Sequence, residues 1–193
     1  MSTVIDYIPQ QRFATLARMG ERVFHIDDLA NIFGITNANT LHVTLSRYVR
    51  AGLLRRVYRG LYAFDEPSKI DPLLLGAKAL HRHCYVTTET VLTQAGAISQ
   101  RMDAATFASN LSKQFVIVGN RYRCRQLADR YLYNDEGMVM RADGVRVASV
   151  ERAAADILYF APTYHFDNSG AIDWERVRAI GESIGYPKIK RNV

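Results

Sequence analysis

Between Ile26 and Phe64 the spacing of apolar residues changes twice, and the breaks between the periods are too short to hold more than a turn. Ile26, Leu29, Ala30 and Phe33 recur at i, i+3, i+4 and i+7. This predicts a helix over 26–33, with Asp27 and Asp28 favourable in its first turn and Gly34 just past its end. Ile35-Thr36-Asn37 follows as a turn with a good N-cap in Asn37, and a second helical period runs from about Ala38 to Ala51 with Gly52 after the cap. Two apolar-rich runs come next, Leu53–Val57 and Leu61–Phe64, joined by Tyr58-Arg59-Gly60. Their aromatic and aliphatic content suits a hairpin in which Gly60 takes the positive φ. A further helix from Gln10 to Met19, with Phe13, Leu16 and Ala17 on one face, completes three helices and a hairpin. The pattern predicts a winged helix-turn-helix over residues 1–66.

The run Asp65-Glu66-Pro67-Ser68, followed by Asp71-Pro72, is rich in turn residues and marks the expected boundary. Residues 67–193 read as a mixed domain. Helices are expected over 72–83, 88–94, 150–160 and 172–184, and strands over 115–118, 122–127, 131–133, 138–140 and 145–147. The fold class is therefore α+β, an N-terminal winged helix-turn-helix followed by a mixed α+β C-terminal domain.

With 193 residues, 48% hydrophobic and 23% charged, the chain has the composition of a globular protein and excludes collagen, coiled-coil and disordered classes. Two cysteines, Cys84 and Cys124, cannot form the dense framework of a small secreted domain. Met1–Asp6 has no basic leader, and no apolar run approaches the ~18 residues of a membrane span, so a cytoplasmic protein with no membrane partner is expected. The net charge of +6 matters less than its distribution. No Asp or Glu occurs from Leu29 to Phe64, whereas Arg47, Arg50, Arg55, Arg56 and Arg59 all lie there.

At about 100° per residue, Leu41, Leu45, Tyr48 and Val49 share one face of the third helix, with Asn39, Val43, Ser46, Arg47 and Arg50 roughly opposite. A recognition helix requires this division, because its outward side chains must reach base edges in the major groove. Arg47 suits bidentate contact with guanine, Asn39, Thr40 and Ser46 suit hydrogen bonds to bases or phosphate, and Val43 suits a thymine methyl. Arg50, near the helix end, suits phosphate. Arg55, Arg56 and Arg59 suit backbone contacts, with Arg59 placed at the turn to enter a neighbouring minor groove. A small basic helix-turn-helix of this kind also docks RNA or protein.

A second basic series, Arg121, Arg123 and Arg125, falls on one face of an alternating strand that also carries Tyr122, with Arg130 following. It reads equally as a second nucleic-acid surface, a site for an acidic partner, or a solvated strand face. His81-Arg82-His83-Cys84 contains metal-ligating residue types, but on a helix positions 81 and 83 point about 200° apart, so no metal site is expected. Glu151 and Asp156 do not share a helix face, and Arg152 with Asp156 is the natural i,i+4 pair, with Ser149 as N-cap. No phosphate-binding loop, nucleophile elbow or nuclease carboxylate pair is visible. Neither catalysis nor a cofactor is expected, and Lys188, Lys190 and Arg191 read as a solvated tail.

The run Leu45–Tyr62, LSRYVRAGLLRRVYRGLY, resembles the amino-terminal winged helix of the AbiEi family of bacterial antitoxins, whose pattern is LxRLVxxGLLxRxxRGLY. Tyr85–Leu92 resembles that family's YxSLETAL segment, and Val147–Asp156 its IASPERALxD segment, in the same order along the chain. Tyr48 stands where the wing pattern has Leu, and Val150 where the last pattern has Pro. The resemblance implies a repressor that binds inverted repeats of double-stranded DNA in its own promoter, with two copies on the DNA. It also implies a carboxy-terminal domain that counters a cognate nucleotidyltransferase toxin. The alternatives are a stand-alone winged-helix regulator or a protein-interaction module without antitoxin activity.

Overall fold

The computed structural model describes residues 7–100 and 102–187, so the amino-terminal Met1–Asp6 and the basic residues Lys188, Lys190 and Arg191 lie outside the described part. The chain divides into two compact units, Met1–Asp71 and Pro72–Val193. The turn Pro67–Lys69 belongs with the first of them, because Lys69 N–H returns to the Glu66 carbonyl and its ammonium reaches the Glu66 carboxylate.

The first unit consists of α1 (Tyr7–Arg18), β1 (Val23–His25), α2 (Ile26–Phe33), α3 (Ala38–Arg50), β2 (Arg55–Tyr58) and β3 (Leu61–Ala63). The three strands form an antiparallel sheet in the order β1-β3-β2. Helix α2 has the expected bounds, and its buried Leu29 and Phe33 join Leu16, Phe24, Leu41, Leu45, Tyr48, Leu54 and Tyr62 in one apolar core. Strand β1 was not legible in the sequence. Its three residues carry no alternation of their own, and pairing with β3 is what makes them a strand.

The second unit contains α4 (Pro72–Leu80), β4 (Cys84–Val86), α5 (Glu89–Gln94), β5 (Ala104–Ser109), β6 (Lys113–Ile117), β7 (Asn120–Gln126), α6 (Asp129–Leu132), β8 (Met138–Met140), β9 (Arg146–Ala148), α7 (Val150–Phe160) and α8 (Trp174–Ile184). Its six strands form one mixed sheet in the order β6-β7-β5-β4-β9-β8, with β5-β7 and β4-β9 parallel and the other pairs antiparallel. Alternation along β5 sends Phe107 to α4 and Thr106 to α5, so these helices cover opposite faces. Helix α4 approaches so closely that a Cβ on Gly76 would stand 2.7 Å from the Tyr122 ring and 2.8 Å from Phe107.

Two expectations are corrected. Tyr131–Tyr133 is not a strand; Asp129–Leu132 is a helical turn that packs the Tyr131 ring edge-on against Tyr159 and Tyr186. Helix α4 stops at Leu80 rather than running to His83, and His81 has φ 47°, so His81 and His83 do not lie on a helix. No described helix is long and apolar enough to cross a membrane.

Candidate nucleic-acid interface

Helix α3 is defined at both ends by its own sequence. The Asn37 side chain accepts the Thr40 N–H at 3.0 Å, which satisfies one of the orphan donors of the first turn. At the other end Gly52 has φ 71°, its N–H returns to the Val49 carbonyl at 3.1 Å, and the Leu53 N–H returns to Tyr48 at 2.9 Å. These are the paired bonds of a Schellman stop. Leu41, Leu45 and Tyr48 are buried, and the Phe33 ring meets Tyr48 edge-on at 5.9 Å. Burial of the Tyr48 hydroxyl raises its pKa, while the Arg12 guanidinium opposes the rise.

The opposite face is open. Asn39, Thr40, Val43, Ser46, Arg47 and Arg50 are all exposed, with Val43 at 51%. His42 is also exposed on this helix and was missed by sequence reasoning. Its signal is its spacing, three residues from Asn39 and four from Ser46.

The hairpin supplies Arg55, Arg56 and Arg59, all exposed. Its register shifts between Arg56 and Tyr58, which shortens the connection to Arg59-Gly60. The tip is anchored, because the Ile26 N–H donates to the Gly60 carbonyl at 2.8 Å. Gly60 has φ 73°, and a Cβ there would lie 3.3 Å from both His25 Nε2 and Ile26 Cγ2, so the start of α2 fixes where Arg59 stands.

Charge pairing separates these arginines from five of the others. Arg22 is held by Asp65, which keeps the carboxyl pKa below its ordinary value through the hydrogen bond, and Arg125, Arg141, Arg146 and Arg152 are each held by a carboxylate. Among the described residues Arg47, Arg50, Arg55, Arg56 and Arg59 form no ion pair. Five guanidinium groups without internal counter-charges give this face its positive potential.

In the second unit Arg121, Arg123 and Arg125 share one face of β7, but they do not act alike. Arg125 is drawn to Glu89 of α5 and lies 5.3 Å from the Phe160 ring centre, whereas Arg121 and Arg123 stay exposed beside Val116 and Gln114 of β6. His83 meets the Arg146 guanidinium at 3.1 Å and the Leu132 carbonyl at 3.2 Å, and Cys84 is buried in β4. Burial pushes the Cys84 thiol up to about 12 and the Cys124 thiol to about 11, so neither is a thiolate at neutral pH.

Arg152 and Asp156 are completely buried and form the hub of the second unit. Arg152 Nε donates to Asp156 Oδ1 at 2.9 Å, Nη1 to the carbonyls of Asn134 and Glu136, and Nη2 to the Tyr131 carbonyl and the Tyr85 hydroxyl. Asp156 also accepts the hydroxyls of Tyr85, Thr87 and Tyr186 at 2.9, 2.7 and 2.6 Å. The pair therefore ties α7 to β4, to the chain entering β8, and to the residues after α8. Every guanidinium N–H is used internally, which makes the role architectural. The expected N-cap is present: Ser149 Oγ accepts the Arg152 N–H at 3.1 Å.

Residues 11–64 match the family described as transcriptional regulator, AbiEi antitoxin. This stretch of the first unit is similar to AbiEi regulator domains. The AbiEi match covers α3 and the hairpin but ends at Phe64, so the two family-like segments of the second unit lie outside it. AbiEi proteins are antitoxin regulators, not an enzyme family. Among solved structures, the RV2827C protein from Mycobacterium tuberculosis is similar in fold, with a TM-score of 0.53 and 13% sequence identity over 93% of this chain and 72% of that one. At that identity the likeness concerns the fold alone. No curated protein matches the chain.

Proposed function

We propose that the AbiEi-like domain is a winged helix-turn-helix that binds double-stranded DNA and represses its own operon. In this reading α3 enters the major groove. Arg47 reads guanine, Asn39, Thr40 and Ser46 bond bases or phosphate, and Val43 meets a thymine methyl. Arg50, Arg55, Arg56 and Arg59 neutralise phosphates, with Arg59 at the edge of the neighbouring minor groove. Two copies occupy an inverted repeat in the promoter. Residues 67–193 act as the antitoxin part, countering a nucleotidyltransferase toxin encoded alongside, within the cytoplasm.

The observation that carries this reading is the set of five exposed arginines without carboxylate partners, all within an acid-free stretch of α3 and the hairpin. The test is a mobility-shift titration of the full chain on its own upstream DNA. The Arg47→Ala/Arg50→Ala variant is expected to lose operator binding, and unchanged affinity would sink the assignment of α3. Toxin partnering is tested separately, by co-expression with the neighbouring nucleotidyltransferase and measurement of growth.

A second reading is favoured by Arg121 and Arg123, which are also exposed and without ion pairs among the described residues. Here β7 offers a face to an acidic partner and the first unit is a scaffold. It predicts weak DNA binding with stable co-purification of that partner, and specific operator binding counts against it.

A further inference from the structure

Two features on one face of β7 are not accounted for by the architecture of the second unit. The first is a row of guanidinium groups. Arg121, Arg123 and Arg125 alternate along the strand at a pitch of about 6.7 Å, close to the step between successive phosphates of an extended nucleic-acid strand. Arg121 and Arg123 are exposed and form no ion pair among the described residues. Beside them on this face stand Val116 and Gln114 of β6 and Ala104 and Thr106 of β5, none of them charged.

The second feature is the ion pair at the end of the row. In the segment Tyr85–Leu92, Tyr85 and Thr87 serve Asp156, but Glu89 does not. Glu89 is 7% exposed and meets Arg125 through one oxygen only. Arg125 Nη2 donates to Glu89 Oε1, while Glu89 Oε2 and Arg125 Nε, both buried, have no hydrogen-bond partner. Nε and Nη2 form the guanidinium edge that ordinarily takes both oxygens of a carboxylate, so half of the fork is unused. Each group left without a partner costs folding free energy, and nothing in the packing of α5 against the sheet requires it.

We propose that this face of β7 binds single-stranded RNA, with phosphates on Arg121 and Arg123 and a base against the Arg125–Glu89 pair. The unpartnered atoms of the pair select this occupant. They are one donor, Nε–H, and one acceptor, Oε2, and the Watson–Crick edge of every base carries an acceptor beside a donor. An acidic protein segment would instead bring a second carboxylate against the unpartnered oxygen of Glu89, and in a duplex the Watson–Crick edges are already paired. Phe160, half-buried with its ring centre 5.3 Å from the Arg125 guanidinium, offers a surface on which the base stacks. The Arg125 side chain is 25% exposed, and it is the group that turns to admit the base. Gln114 is exposed directly across from Arg123, which sets its amide beside the sugar next to a phosphate held there, in place to bond a 2′-hydroxyl.

The test is fluorescence anisotropy of the full chain with a labelled oligouridylate of about 12 nucleotides, across a salt series. On a single strand each phosphate contact contributes about 0.7 to the slope of log Kobs against log salt. Arg121→Ala/Arg123→Ala is therefore expected to flatten the slope by about 1.4 and to weaken binding about tenfold or more at ~0.1 M salt, with unchanged circular dichroism. Arg47→Ala/Arg50→Ala is expected to keep oligouridylate binding. Glu89→Gln turns one acceptor into a donor, and is expected to change the ranking of oligouridylate, oligoadenylate and oligocytidylate without changing the slope. Arg125→Lys, which keeps the charge and removes the second donor, gives the same readout if Glu89→Gln lowers the melting temperature. The proposal is overturned if the wild type does not bind oligouridylate, if the Arg121/Arg123 variant keeps the wild-type slope, or if the base ranking is the same in both pair variants. Oligothymidylate binding as tightly as oligouridylate, or polyglutamate displacing the strand at matched charge, overturns it as well. Operator binding is read on a duplex and through α3, so the proposal and the DNA-binding reading fail separately.

Discussion

On the proposed DNA-binding reading, salt dependence distinguishes the arginines assigned to phosphate from the one assigned to a base. Arg50, Arg55, Arg56 and Arg59 are exposed, have no ion pair among the described residues, and stand at the end of α3 or on the hairpin. If each neutralises one phosphate, log Kobs falls against log salt with a slope of about −4 per bound copy, or about −7 for two copies on an inverted repeat. Between ~50 and ~200 mM salt that is on the order of a hundredfold loss of affinity per copy. Replacing Arg55 and Arg56 together with Ala is expected to flatten the slope by about 2 per copy, weakening operator and scrambled DNA alike. Arg47→Ala is expected to leave the slope nearly unchanged while costing about 1–3 kcal/mol on the operator only. Fluorescence anisotropy on the two DNAs across a salt series measures both quantities. A wild-type slope in the Arg55/Arg56 variant would refute the phosphate assignment, and equal losses on both DNAs for Arg47→Ala would refute base reading.

Three further outcomes test the framework beneath that surface. Asp156→Asn puts an amide NH₂ where two hydroxyls or a guanidinium donate and removes the counter-charge of a fully buried Arg152. A loss of about 3–5 kcal/mol is expected, seen in calorimetry as a drop of roughly 10 °C or more in the melting of the second unit; a shift of only a degree or two would mean the hub is dispensable. Gly60→Val combines a positive φ with a Cβ only 3.3 Å from His25 and Ile26, so it should destabilise the first unit by more than about 1 kcal/mol. DNA affinity should fall with it, and unaltered melting would show that the tip is not anchored. Alkaline pH should unfold the second unit. Burial raises the folded pKa of Cys84 from 9.0 to about 12 and of Cys124 to about 11, and raises Tyr85 and Tyr186 above 10.0. The stability these groups contribute is complete below pH 9.0 and is lost as pH rises through the folded values, at about 1.4 kcal/mol per pH unit for each group. Denaturant midpoints that stay flat from pH 9 to 11 would contradict their burial.

The first unit was largely legible because its signals are local. The caps of α3 are written in Asn37 and Gly52, the bounds of α2 in one apolar period, and the basic face in arginines close together along α3 and the hairpin that follows it. The second unit was read less well. Strand β5, Ala104–Ser109, has four Ala or Ser residues among its six, which dilute the strand signal of Thr106 and Phe107, and it is held by β4 on one side and β7 on the other. Tyr131 looks like part of a strand because it is aromatic, yet its ring is required edge-on against Tyr159 and Tyr186, which a helical turn provides.

The sequence by itself determined the periods and stops of α2 and α3, the arginine-bearing face and the Arg152–Asp156 pair, because each depends on residues within one or two turns of one another. Only the tertiary structure decided the strand order, the withdrawal of Arg125 to Glu89, and the convergence of Tyr85, Thr87 and Tyr186 on Asp156. These rest on partners far apart along the chain. Which distant groups meet is set by how the sheet buries its faces and pairs its backbone, and no local pattern specifies that choice.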